Sequence, residues 1–328
     1  MLRTLSVRHD AFPLATPFRI SRGIKTVADV VTVTIGAGGH SGRGEGVPYP
    51  RYGESVEGAI AQIEAIRGLL EAGAGRADVE RLMLPGAARN AVDCALWDLE
   101  SRLAGRSVAE LLALPPTGPI ATAMTVGLDT PDAMANAATA LRHVPLIKVK
   151  VDRSDPEAQI RAVREAAPGP RMIVDPNESW SFAEVKGLQT LLATLRIDLL
   201  EQPLPAEDDG MLAGFTPLVP IAADESAHVA GDIEALAARY QVINIKLDKT
   251  GGLTAALTLA EAARARGLGL MIGCMICSSL SIAPALLMAS GAAFVDLDGP
   301  LWLSADRAGG VQGAAGIVSP PAPGFWGI

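Results

Sequence analysis

The chain has 328 residues, 49% of them apolar and only 4% aromatic, with a formal charge of −8. That length suits one large α/β barrel or two ordinary domains, and the apolar fraction weighs against disorder. The acidic balance leaves no basic footprint for nucleic acid or an anionic membrane. Three cysteines are an odd count, so no disulfide framework is implied and a reducing cytoplasm is the expected setting. Residues 1–14 carry no apolar core of signal-peptide length.

Residues 1 to about 50 read as antiparallel strands. Val30 to Ile35 is a β-branched run. Gly36 to Gly42 reads as a turn, and Gly44-Glu45-Gly46 continues into the next strand. The glycines lack phosphate-binding spacing and no helix follows them directly, which predicts a hairpin. Arg19, Arg22 and Lys25 fall in a polar connection between strands, and Pro48 to Gly53 is a second irregular loop. Helical spacing of apolar residues follows over 55–70 and 88–103. This first part reads as an α+β unit.

Pro115-Pro116-Thr117-Gly118-Pro119 marks a boundary, after which strand and helix alternate. Strands are predicted at 121–126, 146–151, 172–175, 199–201, 221–224, 242–247, 268–273 and 293–298. A recurrence of about 25 residues is that of a βα unit in a closed parallel barrel, and no dinucleotide fingerprint follows the first strand. Residues 267–295 carry no charge and are long enough to span a bilayer. Ser278, Ser279, Ser281 and Pro284 interrupt the run, which divides into a strand over 268–275 and a buried helix over 282–290.

Polar groups recur where the strands run out. Leu146 to Val151 places Lys148 and Lys150 on one face. By itself this fits either an edge strand in water or a functional site. Three later strands each end on an acid: Asp175-Pro176-Asn177, Glu201-Gln202-Pro203 and Asp224-Glu225-Ser226. One such acid reads as a helix cap. Three in register on successive strands would repel unless a cation sat between them, and hard oxygen ligands suit Mg²⁺. The next strand, Val242 to Leu247, puts Asn244 and Lys246 on one face, while Lys249 reads as a solvated loop residue. The second and sixth strands of an eight-stranded barrel lie opposite each other, so Lys150 and Lys246 face across the mouth. That layout serves proton transfer at a carbon next to a carboxylate, with Mg²⁺ stabilising the enediolate and Lys148 and the metal depressing the Lys150 pKa.

Lys148-Val149-Lys150, Asp175-Pro176-Asn177, Glu201-Gln202-Pro203, Asp224-Glu225-Ser226 and Asn244-Ile245-Lys246, in this order, resemble the enolase superfamily and its muconate-lactonizing subgroup. Within that subgroup the chain is most similar to the dipeptide epimerases. The similarity lies in residues 48–55, 246–252 and 273–279 and in Asp296-Leu297-Asp298-Gly299-Pro300. The resemblance implies an α/β fold: a modified TIM barrel, (β/α)7β, over 116–305, with an α+β capping domain over 1–115 completed by the tail at about 306–328. It implies an isomerase that moves a proton at the C-terminal residue of a dipeptide, of the L-Ala-D/L-Glu type found in cell-wall peptide turnover. Asp175, Glu201 and Asp224 then bind Mg²⁺, Lys150 and Lys246 are the acid/base pair, and Lys148 supports Lys150 and the developing charge. Asp296 and Asp298, sharing a strand face, hold the substrate ammonium, and Arg22 or Lys25 pairs with a distal carboxylate. The expected partner is a small dipeptide, with no nucleic acid or membrane; a homo-oligomer is left open. Cycloisomerase or o-succinylbenzoate synthase activity on the same metal and lysines is an alternative, as is a non-catalytic barrel that binds acidic small molecules. Cys274 and Cys277 form a CxxC without further ligands nearby and read as rim packing.

Overall fold

The computed structural model describes residues 2–21 and 23–328. Strands β1 (Thr4–Ile20), β2 (Gly23–Ala37) and β3 (His40–Gly46) form an antiparallel sheet in the order β1-β2-β3. Val31, Val33 and Ile35 alternate along β2 onto the buried face. The sheet differs from expectation in two places. Arg19 pairs with Ile24, and Phe18 with Lys25, so Arg19 and Lys25 lie inside strands, not in a connection. Gly42 lies within β3, opposite Ile35, and the turn is confined to Gly38 and Gly39, both at positive φ.

The glycines of β3 have a steric purpose. Gly42, Gly44 and Gly46 project to one face, which lies on helix α4 (Ala87–Ala104). A Cβ on Gly44 would come within 2.1 Å of the Ala91 carbonyl oxygen, on Gly42 within 2.2 Å of that of Ala95, and on Gly46 within 2.0 Å of that of Ala87. Ala87, Ala91 and Ala95 form one i, i+4 row. Strand and helix meet backbone to backbone. Before α4 come α1 (Val56–Ala65), α2 (Arg67–Ala72) and α3 (Arg76–Leu82); the single helix expected over 55–70 breaks at Ile66. Ser55 caps α1 by accepting from Gly58 N at 3.0 Å. α4 is followed by the short α5 (Val108–Leu111).

The barrel then alternates. β5 (Ala123–Val126), α6 (Pro131–Ala140), β6 (Leu146–Lys150), α7 (Pro156–Ala166), β7 (Arg171–Asp175), α8 (Phe182–Thr194) and β8 (Leu199–Glu201) make its first half, after the short β4 (Ile120–Ala121). β9 (Ile221–Ala223), α9 (Ile233–Leu236), β10 (Val242–Lys246), α10 (Leu247–Thr250), α11 (Leu253–Ala265), β11 (Gly269–Gly273), α12 (Ser279–Ala289) and β12 (Phe294–Asp296) complete it. The eight parallel strands run in sequence order from β5 to β12. The seam between β12 and β5 is bridged by Leu297 N donating to Thr122 Oγ1 (2.8 Å) and Thr125 N to Asp298 Oδ2 (3.0 Å). The uncharged run over 267–295 is β11 and α12, both buried, and Pro284 is accommodated inside α12. Among the described residues no helix is long and apolar enough to cross a membrane.

One buried residue from each strand forms an apolar floor inside the barrel: Ala123, Leu146, Ile173, Leu199, Ala222, Val242, Met271 and Phe294. The tail pairs β13 (Gln312–Ala314) with β14 (Ile317–Ser319), and β14 with β4. It ends on α4 and α5, where Trp326 Nε1 donates to the Cys94 carbonyl (3.2 Å), Gly327 N to Asp98 (2.8 Å), and Val108 N to the Gly327 carbonyl (3.1 Å).

Candidate active site

Side chains alternate along a strand, so the residues two beyond the floor share its face. Those residues are Thr125, Lys148, Asp175, Glu201, Asp224, Asn244, Gly273 and Asp296. The site is therefore a polar layer stacked on an apolar one, at the C-terminal ends of the strands. Two more residues on, Lys150 and Lys246 rise from β6 and β10, four strands apart in a ring of eight. Gly273 has no side chain because Asn244 fills that space; a Cβ there would lie 2.6 Å from Asn244 Oδ1.

Lys148 Nζ sits at the centre of this layer. It lies 3.0 Å from Asp175 Oδ2, 2.8 Å from Glu201 Oε2 and 2.8 Å from Asp296 Oδ2. Lys150 Nζ donates to Asp175 Oδ2 at 2.5 Å, and Lys246 Nζ to Asp224 Oδ2 at 2.6 Å. Asn244 Nδ2 donates to Glu201 Oε1 at 2.9 Å. All these groups are buried. Burial opposes the charge of Asp175 and Asp224, yet Lys150 and Lys148 hold the first below the usual carboxylate range, and Lys246 and Lys249 the second. Burial, aided by neighbouring Asp175, instead pushes Glu201 up to about 8. Burial works against the Lys148 ammonium, but Asp296, Glu201 and Asp175 keep its pKa well above the ordinary value.

Lys249 is not a solvated loop residue. The chain turns into α10 immediately after Lys246, which carries Lys249 back behind Asp224. Its ammonium is fully buried and donates to Asp224 Oδ1 (2.6 Å), the Asp224 carbonyl and the Asn244 carbonyl (3.0 Å). Asp296 and Asp298 both line the cavity, but do not share a strand face: β12 ends at Asp296, and Asp298 has helical backbone angles. Asp298 Oδ2 accepts from Thr125 N and from Trp302 Nε1 (3.2 Å), and burial beside Asp296 raises its pKa to about 6. Asp296 Oδ1 is buried with no hydrogen-bond partner.

Above this layer is a cavity of about 470 Å³, within the range of small-ligand sites. The capping sheet supplies Phe18, Ile20 and Ile24; the loop after β3 supplies Tyr49, Arg51 and Tyr52; the loop after β11 supplies Met275 and Ile276. Lys25 lies at the rim with its ammonium 5.4 Å from the Tyr49 ring centre. Arg22 lies outside the described residues. Cys274 lines the cavity and Cys277 is buried behind it, and both pack on Gly299, where a Cβ would meet the two sulfurs at 2.9 and 3.1 Å.

Sequence reasoning missed Glu45 and Arg307. Glu45 is buried and accepts from Ser278 N (2.8 Å), Ser278 Oγ and Arg307 (2.8 Å), tying β3 to the loop that carries Met275 and Ile276. Its partners lie more than 230 positions away in sequence, so no local signal could have found them.

The donor set fits a divalent cation. Three fully buried carboxylates stand on consecutive strands, and Glu201 Oε2 has no hydrogen bond although Lys148 is within ion-pair distance. Among the described residues no three His, Cys, Asp or Glu side chains form a ready-made metal cage; lysine ammonium groups lie between these carboxylates. The Glu201 oxygen is the one still without a donor, while Lys150 and Lys246 already meet Asp175 and Asp224.

Residues 2–113 match the mandelate racemase / muconate lactonizing enzyme N-terminal domain, and residues 132–324 the enolase C-terminal domain-like family. The chain belongs to the enolase superfamily. Among relatives of this enolase-superfamily chain, L-Ala-D/L-Glu epimerase of Escherichia coli K12 is 47% identical over 307 residues, 93% of this chain and 96% of the relative. N-acetyl-D-glutamate racemase of Pseudoalteromonas sp. is 45% identical, covering 87% of this chain and 91% of its own. An enolase family member from Agrobacterium tumefaciens, solved with bound sodium and L-Ala-L-Glu, has 49% identity and a TM-score of 0.96, covering 99% of both chains. A dipeptide epimerase of Enterococcus faecalis V583, solved with Mg and L-Leu-L-Tyr, has 29% identity and a TM-score of 0.90, covering 98% of both.

Proposed function

We propose that the protein is a Mg²⁺-dependent dipeptide epimerase that moves the α-proton of the C-terminal residue of an L-Ala-D/L-Glu-type dipeptide. The observation that carries this reading is the pair Lys150 and Lys246, raised from opposite walls of the barrel into one cavity above a shared set of buried acids. Epimerisation needs a base on one face of the α-carbon and an acid on the other. Lys150 and Lys246 take these two roles, exchanging them with the configuration of the substrate. Mg²⁺ held by Asp175, Glu201 and Asp224 would bind the substrate carboxylate and stabilise the negative charge that develops on it. Lys148, buried among Asp175, Glu201 and Asp296, fixes the spacing of those acids and adds positive charge beneath the reacting carboxylate. Asp296 and Asp298 receive the substrate's ammonium; the unpartnered Asp296 Oδ1 supports this. Lys25 at the rim, or Arg22, meets the distal carboxylate of a glutamyl residue. Residues 1–115 with 306–328 act as the cap that selects the substrate, and 116–305 as the catalytic barrel. Three free cysteines suit a reducing cytoplasm.

One observation favours a second reading. Asp298 is raised to about 6 and already accepts two protein hydrogen bonds. Such a group can serve an N-acylated glutamate, which has no ammonium. Proton NMR of L-Ala-L-Glu in D₂O with enzyme and Mg²⁺ tests the main reading. Loss of the glutamyl α-proton signal with growth of the diastereomer is expected; no exchange with any dipeptide would sink it.

A further inference from the structure

The loop after β3 is fastened at both ends. On the cap side, Glu54 accepts from Tyr49 N at 2.9 Å and from Ala87 N, in the first turn of α4, at 2.8 Å. On the barrel side, Arg51 Nε donates to Glu178 Oε2 at 2.7 Å, and its Nη2 to Glu178 Oε1 at 2.8 Å and Glu207 Oε1 at 3.0 Å. Glu178 follows β7 and Glu207 follows β8, the strands that end on Asp175 and Glu201. The backbone under Glu178 is strained: Asn177 and Glu178 are consecutive non-glycine residues at φ +47° and +65°. Such positions persist only where surrounding structure enforces them. Here Glu178 N donates to the Gln202 carbonyl (2.9 Å) and Trp180 N to the Pro203 carbonyl (2.9 Å). The turn directs a mostly buried carboxylate at Arg51 and at Ala206 N (3.0 Å).

We propose that Arg51 is a positioning residue whose clasp on Glu178 and Glu207 holds the loop carrying Tyr49 and Tyr52 closed over the bound dipeptide. This rests on the epimerase reading for the identity of the ligand. Tyr49 and Tyr52 flank Arg51 and wall the cavity, and the Tyr52 ring meets His228 edge-on at 5.0 Å. Opening the cavity on this side requires breaking the clasp. Its Glu178 arm is a bidentate fork, which gives it direction. Glu178 keeps 7% of its side-chain surface exposed and Glu207 keeps 69%, so Glu178 is the firm arm of the clasp and Glu207 the weak one. Two carboxylates already face the Arg51 guanidinium, which suits it to fastening the loop and leaves the distal substrate carboxylate to Lys25.

The test compares Arg51→Met, Arg51→Lys and Glu178→Gln. With L-Ala-L-Glu and Mg²⁺, Arg51→Met should raise KM about tenfold while kcat changes less than about threefold, and Arg51→Lys should recover part of the loss. Arg51→Met and Glu178→Gln combined should be no worse than either alone, because both remove the same clasp. Chymotrypsin cleavage after Tyr52, with Mg²⁺ and no dipeptide, gives a readout independent of turnover; it should be faster in Arg51→Met and in Glu178→Gln. An unchanged KM in Arg51→Met, unchanged cleavage, or losses that multiply in the double variant would each overturn the proposal. If the wild type turns over no dipeptide, the epimerase reading falls while the cleavage comparison still decides the clasp. Glu207→Gln alters an exposed carboxylate that the fold does not need; it should give the same faster cleavage to a lesser degree, and unchanged cleavage there counts against the clasp.

Discussion

Replacing Asp296 with asparagine separates the two substrate readings with one atom. Asp296 Oδ2 holds Lys148 Nζ at 2.8 Å, while Oδ1 is buried without a donor. Asp296→Asn keeps the shape and removes the charge. Lys148 retains Asp175 at 3.0 Å and Glu201 at 2.8 Å, so the layer beneath stays ion-paired. What is lost is a charge-assisted hydrogen bond to the ammonium of a dipeptide, about 2 to 3 kcal/mol. That corresponds to roughly 30- to 150-fold in kcat/KM. An N-acylated glutamate has no such ammonium, and its turnover should change less than about threefold. The assay is α-proton exchange in D₂O with L-Ala-L-Glu and N-acetylglutamate in parallel, with thermal unfolding as a control for integrity. Equal losses on both substrates would mean that Asp296 acts through Lys148 and not on the ammonium. No loss on the dipeptide would refute the clamp.

Other expectations follow from the same geometry. Lys150→Ala and Lys246→Ala should each abolish epimerisation by about 10³-fold or more, and each should spare solvent exchange of one α-proton configuration; loss of exchange from both configurations in either variant would contradict the two-face arrangement. Lys249→Met leaves a buried carboxylate short of a partner and should lower stability by about 3 kcal/mol in urea unfolding; a change under about 1 kcal/mol would show Asp224 to be satisfied without it. Asp93 is buried against Thr254, and burial raises its pKa from 3.8 to about 6. The folded state therefore holds a proton that the unfolded chain has released, so this group's contribution to stability falls as pH rises from about 4 to about 6. In Asp93→Asn that decline should be shallower, and identical pH–stability curves would refute the assignment.

The barrel strands were legible because a period of two leaves a strong trace, and on β6 and β10 one face reads floor residue, then polar residue, then lysine. The three acids could be read for the same reason, since each ends an apolar strand. Lys249 was misread because alternation stops at Lys246; α10 then turns the chain inward, and nothing local marks the lysine there as buried and not solvated. Asp298 was placed on a strand that ends two residues before it. The clasp from Arg51 to Glu178 spans 127 positions and depends on a left-handed turn at two non-glycine residues, a conformation their types do not announce.

The glycine stripe of β3 has a bearing on how this protein can change over time. Because β3 and α4 touch through their backbones, no side chain there can be trimmed or enlarged to shift one against the other. The spacing acts as a fixed gauge. Glu45, on the opposite face of the same strand, is thereby set at one height above the barrel, where it meets Ser278 and Arg307. New substrate preferences must then arise in segments hung from that gauge, the hairpin tip near Lys25 and the loop around Arg51, while the frame beneath them stays still.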